Sequence, residues 1–333
     1  MDMKSISVIG QGFVGGSLTT VFTERGFEVY VYDKAGKVAE GGIPLIERVS
    51  KRLEMAGVPN VEQLPGEDTP VQAFVKACEE KADFSKVYFV CLPTPMFEDG
   101  EADLSIVDRV LNELSSVPGE RVAVVKSTVP PGSTEKWNKL FEKTGLRVIF
   151  SPEFLTEANA LDDMRNQNRI IIGGPRPWVN RVKEVFQAAF PKVTLVKTSS
   201  TTAEMVKYVI NCFLATKVSF ANEMAQICEA LDTKGMNIDY DKVVEYARLD
   251  TRLGNSHWAV PGPVPTHDGR YVRGYGGHCF PKDLNALRFV ADDLGVDTKV
   301  LDAAWEKNLE VRPDQDRDWE HMQGRAVSKK EKK

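Results

Sequence analysis

The chain lacks what would take it into a membrane or onto a nucleic acid. No apolar run in its 333 residues approaches the roughly 20 needed to cross a bilayer. The N-terminus enters a strand-like run at Ser5 and has no signal-peptide layout. A formal net charge of −5 supplies none of the basic field that nucleic-acid binders carry, although local groups remain able to bind small anions. Cysteine is scarce and odd in number: Cys78, Cys91, Cys212, Cys228 and Cys279 make five, and their spacings match no zinc pattern, so no metal is expected. Cys91 ends an apolar strand, Cys212 and Cys228 fall in an apolar helix, and Cys78 reads as a helix residue without chemistry. A reducing cytoplasm fits this usage best. Only Cys279 has polar, glycine-rich company.

The length is enough for two domains, each with its own core. The first half reads as a dinucleotide-binding unit. Ser5–Ile9 is a buried-strand pattern, followed by Gly10-Gln11-Gly12-Phe13-Val14-Gly15 and a helix-competent run to Arg25. Strand, GxGxxG and helix in that order are the context that makes the glycines informative: Gly10 for the tight turn, Gly12 to admit a pyrophosphate, Gly15 for helix–strand packing. The phosphates then meet unpaired N–H groups at the helix start, beside Phe13 and Val14. The second strand, Glu28–Tyr32, ends in Asp33, about 20 residues on, where a carboxylate accepts from ribose hydroxyls. An acid there repels the extra phosphate of NADP and favours NAD. Lys34 and Lys37 keep NADP open, with Lys37 near the adenosine side, and a flavin or a non-redox nucleotide is the larger rival to NAD.

Further strands are expected at Val87–Cys91, Val122–Lys126, Arg147–Phe150, Arg169–Ile172 and Val193–Lys197. Their alternation with helical stretches predicts a doubly wound, mostly parallel Rossmann-type sheet. Ligands of such sheets bind beyond the carboxyl ends of the strands, where Pro93-Thr94-Pro95, Ser127-Thr128-Val129-Pro130 and Ser151-Pro152-Glu153-Phe154-Leu155-Thr156-Glu157 fall.

From Thr201 to Leu231 there is neither Gly nor Pro, and apolar residues recur at helical spacing. Thr201 and Glu204 suggest a capping box, and Gly235 is placed to end the helix. A helix of roughly 45 Å exceeds the needs of one small domain, so a homodimer through helix 201–231 is expected. Lys207 and Asn211 project from one face, a cation and an amide suited to stabilising an oxyanion. Past the helix comes Gly274-Tyr275-Gly276-Gly277-His278-Cys279-Phe280-Pro281-Lys282-Asp283. Its glycines would let a ligand approach the backbone beside Tyr275 and Gly276. A cation near Cys279 favours the thiolate, and Asp283 stands close in sequence as an acid/base partner.

This last stretch resembles the nucleophile motif of the UDP-glucose/GDP-mannose dehydrogenase family, and the similarity runs over about residues 4 to 310. It implies an enzyme of nucleotide-sugar metabolism in polysaccharide biosynthesis, oxidising a sugar C6 alcohol to a carboxylate in four electrons with NAD. UDP-glucose is the first candidate substrate, with GDP-mannose and N-acetylated UDP-hexosamines open. By the same resemblance Thr94 and Thr128 line the nicotinamide side, and Thr128 holds a water. Glu153, Phe154, Leu155 and Glu157 belong to a loop facing the sugar, with Glu157 at the reacting centre. Lys207 and Asn211 hold the oxygen of a covalent intermediate on Cys279, Arg252 reaches the sugar, and Lys282 contacts the cofactor. His257 and His278 are given no role as bases.

The expected organisation is an NAD-binding domain over 1–198, a helical substrate and dimerisation domain over 199–310, and a charged tail over 311–333 whose end, 328–333, is expected to be disordered. Family members continue into a second nucleotide-binding-like domain, whereas a short charged segment follows Arg312. The insert 264–272 has no assigned role. Two rivals stand beside the family reading. One is a single-step β-hydroxyacid dehydrogenase, which needs no cysteine; the other is a non-catalytic binding protein derived from a dehydrogenase.

Overall fold

The central strands show little polar alternation because both their faces are covered. In the computed structural model, which describes residues 4–44, 86–117, 119–266 and 269–330, successive strand residues feed two different cores. Ile9, Tyr88, Val90, Ala123, Val125, Val148 and Phe150 join one; Ile6, Val8, Phe89, Val122, Val124 and Ile149 join the other. Cys78 lies outside the described residues.

The strands are β1 (Ser5–Ile9), β2 (Glu28–Tyr32), β3 (Ile43–Pro44), β4 (Val87–Val90), β5 (Arg121–Val125), β6 (Leu146–Phe150), β7 (Arg169–Gly173) and β8 (Thr194–Thr198). Their order in the sheet is β3-β2-β1-β4-β5-β6-β7-β8, so that the first six follow the Rossmann order and the chain reverses direction across the sheet between β1 and β4. Pairing is parallel except between β6 and β7, which meet antiparallel at Phe150 and Gly173. The link between these two strands carries the 3-10 turn Glu157–Asn159 and a seven-residue helix.

The helices of this part are α1 (Phe13–Glu24), α2 (Ser105–Ser115), α3 (Ser133–Leu140), α4 (Ala160–Asn166) and α5 (Trp178–Ala189). Val107, Val110, Leu111 and Leu114 of α2 and Trp137 of α3 cover one face. Leu18, Val21 and Phe22 of α1 and Val182, Val185 and Phe186 of α5 cover the other. Phe22 sits among four aromatic rings, with the Phe27 centroid 5.0 Å away; such pairs add about 1 kcal/mol each beyond burial.

The remaining helices are α6 (Ser200–Asp232), α7 (Tyr240–Ala247), α8 (Phe280–Asp293) and α9 (Lys299–Val311). The chain divides into two compact units: Met1–Thr94 with Leu104–Lys207, and Pro95–Asp103 with Tyr208–Lys333. The division falls inside α6, whose 33 residues run about 50 Å. The expected Thr201–Glu204 capping box does not form. Ser199 caps instead, its Oγ accepting from Thr202 N–H. Glu204 is fully buried and accepts from the N–H groups of Gly132 and Thr134, where it caps α3 and leaves nothing to close a box. Gly235, at φ 77°, does terminate the helix, donating to Asp232 O.

The charged tail is folded over residues 312–327, and in the stretch expected to be disordered the Ser328 hydroxyl donates to Asp103 Oδ2 and Lys330 pairs with Asp99, each at 2.6 Å. Short 3-10 turns at Asp314–Asp316 and Asp318–His321 bury Trp319 and Ala326 against Met96, Trp305 and Leu309. The charges that suggested disorder are paired with the second unit's own groups.

Candidate active site

In the first unit the chemistry gathers at the carboxyl ends of neighbouring parallel strands. After β1, Gly10 takes φ 90°, and a Cβ there would stand 2.3 Å from Cys91 O. A Cβ on Gly15 would fall 1.9 Å from Gly10 O, so α1 can pack on the turn only without one. Nothing lies within 4 Å of the corresponding position on Gly12, and α1 begins there with no side-chain cap and no acid in its first turn. The N–H groups of that first turn, beside an open glycine, fit a pyrophosphate. Asp33 accepts from Gln11 N–H through Oδ2 and from Ala35 N–H through Oδ1, at 2.8 and 2.9 Å, which fixes its carboxylate beside the turn. Phe13 and Val14 are half-buried in α1, and Lys37 is exposed. These residues fit a dinucleotide.

Thr94 follows β4, and its buried hydroxyl donates to Thr128 O, after β5, at 2.7 Å. After β6, Glu153 is buried and ion-paired with Lys207, whose Nζ donates to its Oε1 and to its backbone oxygen, each at 2.8 Å. Oε2 accepts from Leu155 N–H at 2.7 Å. Phe154 lies beneath two cations, Arg169 at 4.4 Å and Lys207 at 5.8 Å from its ring centre. Glu157 stands exposed at the start of its 3-10 turn.

Sequence reasoning placed Lys126 only at the end of a strand. It is buried, donating to Pro152 O at 2.9 Å and to Ser151 Oγ at 3.3 Å. Burial pulls its ammonium down to about 8, with the Cys91 and Glu153 charges opposing and Lys207 adding to the fall. Burial likewise pushes the Glu153 carboxyl up, but the Lys207 charge and hydrogen bond, the Leu155 N–H and Lys126 together bring it below the ordinary value. Glu153 is thereby kept ionised between two lysines. A lysine closing an otherwise apolar strand was the available signal.

In the second unit Cys279 occupies the N-cap position of α8, which has Pro281 in its first turn, and its thiol is in no disulfide and partly exposed. Helix N-termini favour thiolates. The Asp283 carboxylate, 1% exposed, receives Lys282 Nζ on Oδ1 and Asn211 Nδ2 on Oδ2, both at 2.5 Å. Lys207 and Asn211 are therefore one turn apart on α6 with different partners, Glu153 for the first and Asp283 for the second. Tyr275 is buried in the core with Cys212, Leu284 and Trp305. Arg252 is exposed and paired with Asp250 at 2.5 Å. Burial and the Lys217 charge push His257 below the ordinary imidazole value.

The glycines before Cys279 do not all open the backbone to a ligand. A Cβ on Gly274 would lie 2.4 Å from Asn308 Oδ1, and one on Gly276 would lie 2.2 Å from Asp318 Oδ1. These two admit the protein's own side chains. Only Gly277, at φ 69°, has nothing within 4 Å of that position.

Known proteins resemble the chain over most of its length. The chain is 32% identical over 323 residues to UDP-glucose 6-dehydrogenase TuaD of Bacillus subtilis, covering 93% of this chain and 64% of that protein. Among solved structures, a UDP-glucose dehydrogenase from Pyrobaculum islandicum matches with a TM-score of 0.69 and 28% identity, over 92% of this chain and 68% of that one. A 3-hydroxyisobutyrate dehydrogenase from Mycobacterium tuberculosis shares the fold, with a TM-score of 0.62 at 16% identity, over 95% of this chain and 96% of that one. The chain thus spans just under two thirds of its curated relative. Residues 4–190 match the NAD binding domain, and residues 201–310 the central domain, so the chain belongs to the UDP-glucose/GDP-mannose dehydrogenase family.

Proposed function

We propose that the chain oxidises the C6 alcohol of a nucleotide sugar, UDP-glucose first, to a carboxylate through a thioester on Cys279. The observation that carries this reading is Asp283, one helical turn after a thiol at a helix N-terminus, with its carboxylate clamped by an ammonium and an amide. A single-step alcohol dehydrogenase needs neither the thiol nor that clamp. The names of the curated relative and of the Pyrobaculum structure support the substrate class.

NAD, when bound at the Gly10–Gly15 turn, supplies the oxidant for each of two hydride transfers. In the first oxidation Asp283, or a water held by Thr128, takes the hydroxyl proton as the aldehyde forms. The Cys279 thiolate then adds to the aldehyde carbon, forming the C–S bond of a thiohemiacetal. Lys207 and Asn211 stabilise its oxyanion; an ammonium carries three N–H donors and an amide two, and Asp283 engages one of Asn211's. Loss of the second hydride leaves a thioester. Glu157 or Asp283 takes a proton from the attacking water, the C–S bond breaks, and the acid leaves with Cys279 free again. Holding the aldehyde on sulfur prevents its escape.

Phe213 and Phe220 on α6 are 66% and 51% exposed, with Val209 and Ile227 beside them in the series. Over the same stretch of helix, 213–228, the buried positions are Ala215, Ser219, Ala221, Asn222, Ala225 and Cys228. Large apolar residues outside and small ones inside support a second copy of this chain docking along α6. A reducing cytoplasmic setting accords with described cysteines that form no disulfide.

The test is NADH formation with UDP-glucose, GDP-mannose or a UDP-N-acetylhexosamine. Growth of NADH absorbance with at least one of them is expected; NAD binding with no NADH from any would overturn the reading. The whole-length likeness to the hydroxyisobutyrate enzyme favours one alternative, a single-step oxidation of a 3-hydroxy acid, which would be unaffected by Cys279→Ser.

A further inference from the structure

The loop that carries Cys279 is held from behind by Asn308 and by side chains beyond residue 310, where the family match ends. Asn308, in the last turn of α9, grips Tyr275 on both backbone groups. Its Oδ1 accepts from Tyr275 N–H at 2.7 Å, and its Nδ2 donates to Tyr275 O at 3.1 Å. Past the helix, Arg312 is 5% exposed; its Nη1 donates to Arg273 O at 3.3 Å and its Nη2 to Asp318 Oδ1 at 2.9 Å. The other Asp318 oxygen accepts from Gly277 N–H at 3.0 Å. Backbone groups at 273, 275 and 277 are thus each tied by a side chain, and Cys279 follows two residues later.

Two further observations place this contact under selection by geometry. Gly276 sits so close to the pair that a Cβ would meet Asp318 Oδ1 at 2.2 Å and Arg312 Nη2 at 2.4 Å, so the loop and the pair fit only with glycine there. The segment bearing Asp318 is itself anchored. Trp319 is buried against Trp305, ring centres 5.8 Å apart, and Arg312 Nε donates to Asp316 O at 2.7 Å. Arg270, from the otherwise unassigned insert 264–272, pairs with the Asp316 carboxylate at 2.7 Å. Insert and C-terminal segment are therefore two parts of one brace.

We infer that Arg312 and Asp318 are positioning residues for the nucleophile, a brace that keeps Cys279 at the first turn of α8, where the helix N–H groups favour its thiolate. This rests on the reading of Cys279 as the nucleophile. Without Asp318, Gly277 N–H loses its acceptor and the buried Arg312 guanidinium loses one of its three and the charge opposite it. The loop then relaxes, and the thiol spends less time at the helix end. A contribution of that size to thiolate formation corresponds to about threefold or more in reactivity at neutral pH.

The test measures the rate of Cys279 alkylation by iodoacetamide at pH 7, resolved by peptide mass spectrometry, in the native chain, Asp318→Ala and Asp318→Asn. Asparagine keeps an oxygen acceptor for Gly277 N–H. The alanine variant should slow Cys279 by about threefold or more while Cys212 and Cys228 stay protected, and asparagine should restore most of the rate. An unchanged rate at Cys279 in Asp318→Ala, or equal exposure of all three thiols, would overturn the inference. Should the alanine variant not fold, hydrogen exchange on the native chain decides. The Gly277 amide should exchange at least about tenfold more slowly than an unbonded loop amide, and free exchange there would refute the brace. The two readings fail separately. If Cys279→Ser keeps full turnover, the nucleophile assignment fails while alkylation still reports on the brace; if alkylation ignores Asp318 while Cys279→Ser is inactive, only the brace fails.

Discussion

Replacing Lys207 by methionine should cost both stability and turnover, and the structure says how much of each. The Lys207 and Glu153 side chains are 5% and 7% exposed and meet at 2.8 Å. Removing one partner of a buried pair strands the other charge, at about 3–5 kcal/mol. Glu153 keeps Leu155 N–H and the neighbouring Lys126 charge, so the lower end, about 3 kcal/mol, is expected. Glu153→Gln alone leaves two lysines close together without the carboxylate between them. The double variant Lys207→Met with Glu153→Gln removes both members and should recover about 1–2 kcal/mol of the summed loss. A urea-unfolding cycle over the four proteins reads this coupling directly. Turnover of Lys207→Met should fall about 100-fold or more, the cost of losing one oxyanion donor. A loss below about 1 kcal/mol with an additive cycle would show that no buried ionised pair exists there.

Asp33→Ser should weaken NAD by about tenfold and narrow its margin over NADP, since the carboxylate that accepts from ribose is gone; equilibrium binding of both cofactors checks this. Lys126 has a folded value of about 8 against 10.5 for an ordinary lysine. Between those values the unfolded chain binds more protons, so stability should rise with pH there. Urea midpoints of the native chain and Lys126→Met should accordingly converge between about pH 7 and pH 10 as the lysine's handicap shrinks; parallel pH curves would refute the assignment. Phe213→Glu combined with Phe220→Glu should yield a monomer by light scattering if the exposed face of α6 is the dimer contact, and an unchanged mass would exclude that face.

Local grammar made the cofactor end legible. Gly10, Gly12, Gly15 and Asp33 are bound to their positions by a turn and two strands close in sequence, and the structure gives each the surroundings such a turn demands. Distant partners were not legible. Glu204 looked like half of a capping box but caps α3, a choice made by tertiary packing. The antiparallel β7 has the same apolar pattern as its parallel neighbours, and its connection from β6 is of similar length to the one between the parallel β5 and β6, so nothing local marks the reversal. The periodicity of α6 was read correctly as helix, yet which side is buried depended on small residues that hydrophobicity alone ranks below Phe213 and Phe220. Gly274 and Gly276 resembled openings for a ligand because a sequence does not show that Asn308 and Asp318 fill the space. The charged segment after Arg312 looked solvated for the same reason: Arg312, Asp316 and Asp318 find partners far back in the chain.

The most direct measurement is the yield of NADH per molecule of nucleotide sugar consumed, in the native chain and in Cys279→Ser. A covalent four-electron route requires about two NADH per sugar from the native chain and at most about one from the serine variant, which can make an aldehyde but no thioester. One NADH per sugar from both proteins would contradict it and point to a simple alcohol dehydrogenase built on the same fold.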